Sequence, residues 1–149
     1  MIEVVKTNSS NKDFINLVEK LDKDLALRDG DEHSFYAQFN GISVIKYAIV
    51  LYFEGLPVAC GAIKEYDNDS MEVKRMYVLE EYRNKGFATQ VLNALEDWSK
   101  TLNYKYLLLE TGLKQPEAIR LYEKNGFSVI PNYGQYAGIE NSVCFKKKM

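Results

Sequence analysis

The hydrophobic period changes twice in the middle of the chain, and this constrains the fold more than any other feature of the sequence. Residues 71–78 favour an extended strand, the next apolar side chains recur at helical steps of three and four residues, and residues 106–110 form a continuous apolar run. The helical stripe consists of Ala88, Val91, Leu92, Leu95, Trp98 and Leu102. A strand, a helix and a second strand in this order predict a βαβ unit.

The first forty residues predict one strand and two helices. The β-branched run Ile2–Val5 indicates a first or edge strand. A helix of about four turns follows, with Ser10 or Asn11 as its N-cap and Gly30 at its end. Its apolar face comprises Phe14, Leu17, Val18, Leu21 and Leu25. A second, shorter helix is indicated by Phe35, Tyr36 and Phe39.

The next residues predict three antiparallel strands in a meander. Val44–Phe53 and Val58–Tyr66 are β-prone runs separated by Glu54-Gly55-Leu56-Pro57, where Gly and Pro favour a hairpin turn. A second turn at residues 67–70 leads into the strand at 71–78.

The end of the chain predicts one more helix and two more strands. Pro116 suits the first position of a helix, and Asn125-Gly126 favours a left-handed cap at its end. The last strands are expected at Phe127–Ile130 and Ser142–Lys147. Together these elements predict a single domain, residues 1–149, of the α+β (mixed α/β) class, with a largely antiparallel sheet flanked by helices.

Composition excludes several classes of function. The chain has 149 residues, 46% of them hydrophobic, which suffices for one folded core. A net charge of −2 argues against a nucleic-acid partner, and the longest apolar run, Tyr47–Phe53, is far shorter than the roughly 18 residues of a membrane span. With no signal-peptide core and only Cys60 and Cys144 as cysteines, we expect a cytoplasmic protein with reduced thiols. The single histidine, His33, offers little support for a metal site or a catalytic triad.

The sharpest local motif is Arg83-Asn84-Lys85-Gly86-Phe87-Ala88, between the predicted strand and the predicted helix. Two cations, two small residues and the free backbone N–H groups of a helix start would form a cradle for an anion. The alternative is an ordinary helix start with solvated charges.

The motif Arg83-x-x-Gly86-x-Ala88 resembles the pyrophosphate-binding sequence [Arg/Gln]-x-x-Gly-x-[Gly/Ala] of the GNAT superfamily of acyl-CoA-dependent N-acetyltransferases. Three flanking segments match that family in the same order, namely Met71–Val78, Leu107–Thr111 and Ala118–Phe127. One departure is Gln115, where many members carry Asn, and it leaves the contact of that side chain to the cofactor open.

The resemblance implies a GNAT-like fold that uses acetyl-CoA as co-substrate, without a metal. The strand end would offer its backbone to the pantetheine arm, and the turn from Arg83 to Thr89 would hold the diphosphate. The residues expected to bind the cofactor are Met76, Tyr77, Val78, Arg83, Asn84, Lys85, Gly86, Phe87, Ala88, Thr89, Gln115 and Tyr122.

Glu72 and Tyr122 are the candidate catalytic residues. Glu72 lies 11 positions before Arg83, which resembles the placement of a catalytic glutamate in several GNAT enzymes. An amine is mostly protonated at pH 7, so a carboxylate that accepts its proton would let the lone pair attack the thioester. The alternative for Glu72 is a solvated strand residue paired with Lys74 or Arg75.

Tyr122 matches a family tyrosine that faces the cofactor sulfur, where its O–H can protonate the departing thiolate. The alternative is an ordinary core aromatic. Cys144 could be considered a nucleophile, but the sequence places no histidine beside it and the family transfers directly, so we expect a buried structural thiol.

The sequence therefore predicts an enzyme that transfers an acetyl group from acetyl-CoA to a primary amine of a small molecule or peptide. The alternative is a non-catalytic acyl-CoA-binding or sensing module, and a toxin acting on tRNA would need a basic surface. Asp29, Asp31 and Glu32, with Tyr133, Tyr136, Glu72 and Glu110, suggest an acceptor site for a small cationic amine or an exposed amino group. The alternative is that these acids form a solvated helix connector. Whether the protein is a homodimer is left open.

Overall fold

The computed structural model describes residues 1–29 and 45–149, and three helices and seven strands lie within them. The strands are β1 (Ile2–Thr7), β2 (Tyr47–Phe53), β3 (Leu56–Glu65), β4 (Ser70–Val78), β5 (Tyr106–Gly112), β6 (Ser128–Ile130) and β7 (Ser142–Lys148). The helices are α1 (Lys12–Asp29), α2 (Phe87–Thr101) and α3 (Pro116–Lys124). The short helix expected at Phe35, Tyr36 and Phe39, the end of the first helix at Gly30, and His33 lie outside the described residues.

All seven strands form one sheet in the order β1-β2-β3-β4-β5-β7-β6. Every neighbouring pair is antiparallel except β4 and β5, which are parallel and are joined through α2. The predicted βαβ unit and the predicted α+β class with a largely antiparallel sheet are therefore confirmed. The first strand lies at an edge of the sheet, as its position in the sequence suggested.

The hairpin between β2 and β3 is tighter than the sequence indicated. Glu54 and Gly55 alone form the turn, with φ of 51° and 81°. Leu56 and Pro57 already pair with Phe53 and Tyr52 in the ladder, beside a shift of register. Two successive positive φ angles produce the backbone twist that closes a two-residue hairpin. The expectation that Leu56 and Pro57 belong to the turn was therefore wrong.

Helices α1 and α2 cover opposite faces of the sheet. The Asn11 side chain accepts a hydrogen bond from the Phe14 N–H at 2.9 Å, so Asn11 rather than Ser10 caps α1. Successive strand residues face opposite sides, and accordingly Ala48 and Val50 pack with α1 whereas Ile49 and Leu51 pack with the cluster around α2. The α1 cluster includes Phe14, Leu17, Val18, Ala62 and Cys60.

A cleft opens between β4 and β5 because these strands pair over only three residues. Ser70, Met71 and Glu72 lie opposite Tyr106–Leu108, and no pairing between the two strands continues beyond them in the described residues. Farther along β4, Arg75 has a φ of 61° and the register with β3 shifts. Such a bulge bends a strand and increases its twist. The diverging strand ends leave a gap in the sheet that side chains and helix ends can surround.

Gly61 of β3 permits the close approach of α2 to the bent part of β4. A Cβ at this position would lie 2.6 Å from Met76 Sδ, 2.8 Å from Val91 Cγ1 and 2.9 Å from Leu95 Cδ1. We therefore expect Gly61→Ala to destabilise the fold by about 1–3 kcal/mol through overpacking. Thermal unfolding followed by calorimetry measures this effect, and an unchanged melting temperature would show that the contact relaxes without cost.

Candidate active site

The larger of two adjoining cavities, of about 580 Å³, lies between α1, the end of β4, the turn before α2, and α3. Eleven of the twelve residues predicted to bind the cofactor line it, and Lys85 does not. The eleven are Met76, Tyr77, Val78, Arg83, Asn84, Gly86, Phe87, Ala88, Thr89, Gln115 and Tyr122. The structure thus brings the strand end, the Arg83 turn and α3 to one cavity.

The turn before α2 presents a helix N-terminus to this cavity. Gly86 is the N-cap of α2 with a φ of 82°, Asn84 also has a positive φ of 65°, and no side chain of the described residues caps the helix. The N–H groups of the first helical turn have no partner within a helix, and the helix dipole adds positive potential there. Phe87, Ala88 and Thr89 line the cavity at this end, so the site fits a diphosphate.

Arg83 joins the end of β4 to α1. Its Nε donates to the Val78 carbonyl at 2.8 Å, and its Nη2 lies 3.1 Å from an Asp24 carboxylate oxygen. The guanidinium carbon also lies 5.5 Å from the centre of the Tyr77 ring. Burial raises the pKa of Tyr77, and Asp24 adds to that effect. The guanidinium group of Arg83 therefore lies at the cavity wall, where the Asp24 carboxylate partly neutralises its charge.

A smaller cavity of about 120 Å³ adjoins the first. Six residues line both, namely Leu21, Leu25, Met76, Gln115, Ala118 and Tyr122. The small cavity alone is lined by Glu72 and Glu110, by Lys74 and Arg75, and by Tyr136. The two candidate catalytic residues, Glu72 and Tyr122, therefore both face the small cavity.

Glu72 is buried, with 7% of its surface exposed. Its Oε2 accepts a hydrogen bond from the Tyr133 hydroxyl at 2.6 Å, and its Oε1 lies 3.5 Å from Lys74 Nζ. The alternative that Glu72 pairs with Lys74 is thus present in the structure, although Glu72 is not solvated, and Arg75 pairs with Asp22 instead. Each carboxylate oxygen can accept a second hydrogen bond, so Glu72 retains capacity for a ligand.

Tyr122 lies in the core beside the cavities. It packs at edge or tilted angles on Phe127 and Phe145, with ring centroids 5.7 and 5.9 Å apart. Burial raises the pKa of Tyr122, and the Glu110 carboxylate raises it further. The Tyr122 hydroxyl consequently keeps its proton throughout the neutral range. Tyr122 is therefore buried in the core and also lines both cavities, and its role as the acid stays a prediction.

The loop between β6 and β7 places Tyr136 in the lining of the small cavity and Tyr133 beside Glu72. Tyr133 and Tyr136 stack edge to face with centroids 5.8 Å apart, and Tyr66 packs on Tyr133 at 5.0 Å. Burial and the Glu72 charge raise the pKa values of Tyr133 and Tyr136. The sequence placed both tyrosines at the acceptor wall, and the structure brings them to Glu72. The acidic residues Asp31 and Glu32 lie outside the described residues, as does the side chain of Asp29.

From the sequence, Lys74 and Arg75 were expected only as possible ion-pair partners of Glu72. Strand alternation could have placed Lys74 on the face of Glu72, two residues away. Strand alternation could not place Arg75, because the strand bulges at this residue, where φ is positive, and the alternation of side chains is interrupted there. Arg75 nevertheless lines the small cavity. The cavity therefore contains two cations that sequence spacing did not assign to the site.

Both cysteines are buried free thiols. Burial raises the pKa of Cys144 to about 11 and that of Cys60 to about 12. A thiol that stays protonated is a poor nucleophile, which agrees with the expectation of a structural Cys144.

Among residues 1–29 and 45–149, no three His, Cys, Asp or Glu side chains are grouped so that they could hold a metal ion. In the same part of the chain, none of the helices is long and apolar enough to cross a membrane.

Comparison with known proteins decides the family. The model of the Acetyltransferase (GNAT) family matches residues 11–127, which covers the described cavities except the loop of Tyr133 and Tyr136. The chain belongs to the GNAT family of acetyltransferases. This confirms the resemblance that began at the Arg83 motif.

Two curated relatives of this GNAT chain are about one third identical to it over the segments that match. The N-acetyltransferase YsnE of Bacillus subtilis, itself uncharacterised, is 36% identical over 92 residues, which are 60% of this chain and 61% of the relative. The IAA acetyltransferase of Azospirillum brasilense is 34% identical over 96 residues, 64% of this chain and 63% of the relative. The matched part thus spans less than two thirds of each relative.

Solved structures share the fold of this GNAT chain. A Klebsiella pneumoniae protein proposed to be an acyl-CoA N-acyltransferase superposes with a TM-score of 0.83 at 25% identity, covering 99% of this chain and 97% of its own. A GNAT family acetyltransferase of Elizabethkingia anophelis, crystallised with acetyl-CoA bound, gives a TM-score of 0.69 at 18% identity and covers 99% and 98%.

Proposed function

We propose that this GNAT chain is an N-acetyltransferase that transfers the acetyl group of acetyl-CoA directly to a primary amine of a small molecule or peptide. The observation that carries the proposal is the meeting of two cavities at Tyr122, one bounded by a helix N-terminus and the other containing a buried carboxylate, Glu72. The family membership and the acetyl-CoA bound to a structural neighbour support it.

The larger cavity fits acetyl-CoA by its chemistry. Uncapped N–H groups at the start of α2 would bind the diphosphate, and Arg83 would add positive charge at the wall. The end of β4, at Met76, Tyr77 and Val78, would bind the pantetheine arm where the strand has left its neighbour β5. Acetyl-CoA supplies the acetyl group as a thioester, whose carbon–sulfur bond is broken in the transfer.

The smaller cavity would hold the amine. Glu72 would accept a proton from the attacking nitrogen, directly or through a water, as the new carbon–nitrogen bond forms. Tyr133 and Lys74 hold the two oxygens of Glu72 and so fix the orientation of the carboxylate. The products are the N-acetylated amine and the free thiol, whose sulfur receives a proton from Tyr122.

We expect Tyr122→Phe to lower turnover by about tenfold to a hundredfold, at or below the lower end of the usual range for acid–base groups, because a thiolate is a good leaving group. Since burial raises the pKa of Tyr122, its loss of the proton should affect the wild-type rate only above about pH 10. At every pH from 6 to 9, the rate of the variant should therefore be lower than the wild-type rate by the same factor. A factor that changed steeply within this range would assign the acid to another group.

Thiol release from acetyl-CoA over a panel of polyamines, amino acids, aminoglycosides and peptides tests the proposed function. At least one amine should accelerate release and be recovered with an added acetyl group. The alternative, a non-catalytic acyl-CoA-binding or sensing module, predicts tight binding of acetyl-CoA without release for any amine. The presence of both Glu72 and Tyr122 at the small cavity favours the enzyme.

A further inference from the structure

Two cations that line the larger cavity have no partner among the described residues. The charged residues of its lining are the cations Arg83, Arg120 and Lys124 and the carboxylates Asp24 and Glu117. Arg83 lies 3.1 Å from Asp24 and is paired with it. Arg120 and Lys124 form no ion pair or side-chain hydrogen bond with another described residue. The cations that remain available to an anion in this cavity therefore belong to α3.

Arg120 and Lys124 lie one turn apart on an exposed side of α3. Residues four apart on a helix are neighbours, so these two like charges repel each other unless an anion lies between them. Ala118 and Tyr122, on the inner side of the same helix, line both cavities. Arg120 and Lys124 line the larger cavity only. They therefore lie at its outer rim, away from the small cavity.

The end of α3 lies against the start of α2. The Asn125 side chain donates to the Leu121 carbonyl at 2.8 Å and lies 3.4 Å from the hydroxyl of Thr89, in the first turn of α2. Lys124 directly precedes Asn125, so its backbone lies beside the helix N-terminus whose N–H groups fit a diphosphate. This junction brings a helix start and a pair of cations to the same part of the cavity.

The position of Arg120 in α3 has no explanation from the helix itself. The helix dipole favours cations in the last turn, where Lys124 lies. Arg120 lies in the middle of this nine-residue helix, where the dipole has no such effect. An exposed cation at this position, next to a second one and on a cavity wall, indicates that the cavity receives an anion at its rim.

We propose that Arg120 and Lys124 bind the 3′-phosphate of acetyl-CoA, so that the chain selects this cofactor over its 3′-dephospho form. This rests on the proposed function, since it concerns the cofactor cavity of the same site. Acetyl-CoA carries a diphosphate and, separately, a phosphate monoester on the 3′ oxygen of its ribose, with about 1.5 to 2 negative charges at pH 7.

The covalent order of acetyl-CoA supports this assignment. With the thioester at Tyr122 and the diphosphate at the start of α2, the 3′-phosphate would lie beyond the diphosphate, at the end of the cofactor opposite the acetyl group. Exposed cations at the outer rim suit this end. The guanidinium fork of Arg120 can donate two hydrogen bonds to one phosphate, and Lys124 can add a second positive charge.

Calorimetric titration of the wild-type protein with acetyl-CoA and with 3′-dephospho-acetyl-CoA gives the first test. The two ligands differ only in the monoester, so the ratio of their Kd values measures what this group contributes. We expect the dephospho form to bind about tenfold more weakly, because hydrogen bonds between charged groups are stronger than neutral ones. Equal Kd values would overturn the proposal. If acetyl-CoA itself did not bind, the proposed function would fail, which is a different result.

The double variant Arg120→Gln/Lys124→Gln removes both charges and retains good helix formers. We expect the Kd for acetyl-CoA to rise about tenfold and the Kd for the dephospho form to change less than about twofold, so that the preference is lost. Equal weakening of both ligands would assign the two cations to the diphosphate instead. A lower melting temperature with the preference retained would assign them to the stability of α3, and either result would overturn the proposal.

The double variant Lys12→Gln/Lys114→Gln is the matched control, because it removes the same net charge from two exposed positions that line neither cavity. It should keep both Kd values within about twofold of wild type. Loss of the preference in this control would mean that net charge selects the ligand, against the proposal. If circular dichroism showed the α3 double variant unfolded, the single variants Arg120→Gln and Lys124→Gln would decide, each with an expected loss of about threefold in the preference.

Discussion

Glu72→Gln is expected to lower turnover by roughly 10²-fold or more while the affinity for acetyl-CoA stays within about twofold of wild type. The amide keeps the size of the carboxylate and can still accept the Tyr133 hydrogen bond, but it cannot take a proton from an amine. Glu72 lines the small cavity and not the large one, so the variant should separate chemistry from binding. Steady-state rates of thiol release and calorimetry with acetyl-CoA measure the two effects.

The matched control for Glu72→Gln is Glu3→Gln, which removes a carboxylate from an exposed position of β1 that lines neither cavity. The control should keep full activity and full affinity. Full activity of Glu72→Gln across the pH range would mean that water or another group acts as the base.

Gly86→Val is expected to weaken acetyl-CoA binding by tenfold or more. A Cβ at Gly86 would meet no described atom within 4 Å, so the substitution creates no clash with the protein. It would instead fill space at the N-terminus of α2 where a diphosphate would approach the backbone, and it would force a β-branched residue to a φ of 82°. Calorimetric titration with acetyl-CoA measures the loss of affinity.

Gly55→Val separates the two effects of this substitution. Gly55 has a φ of 81° and equally open surroundings, but it lies in the β2–β3 hairpin turn and lines neither cavity. Both variants should therefore lose similar stability, and only Gly86→Val should lose affinity for acetyl-CoA. Wild-type affinity in Gly86→Val would refute the assignment of the diphosphate to this turn.

Local patterns determined which elements form and in what order. The helical stripe of α2 and the apolar run of β5 each arise from neighbouring residues, so periodicity alone predicted them. The Arg83 turn was predictable for the same reason, since a glycine between a strand and a helix and the free N–H groups of a helix start are local properties. The sequence also predicted Ser10 or Asn11 as the N-cap of α1, and the structure shows that it is Asn11.

Contacts between distant segments were decided only by the tertiary structure. Tyr133 meets Glu72 across 61 positions of sequence, and Arg83 meets Asp24 across 59. Such pairs depend on the order of strands in the sheet and on how far β4 and β5 diverge, which no local period encodes. The bulge at Arg75 is the clearest case, because one residue at positive φ interrupts the alternation from which side-chain direction is predicted. The sequence by itself therefore determined the family, the elements and most of the lining of the larger cavity, whereas sheet register and strand divergence determined which charged side chains line the smaller one.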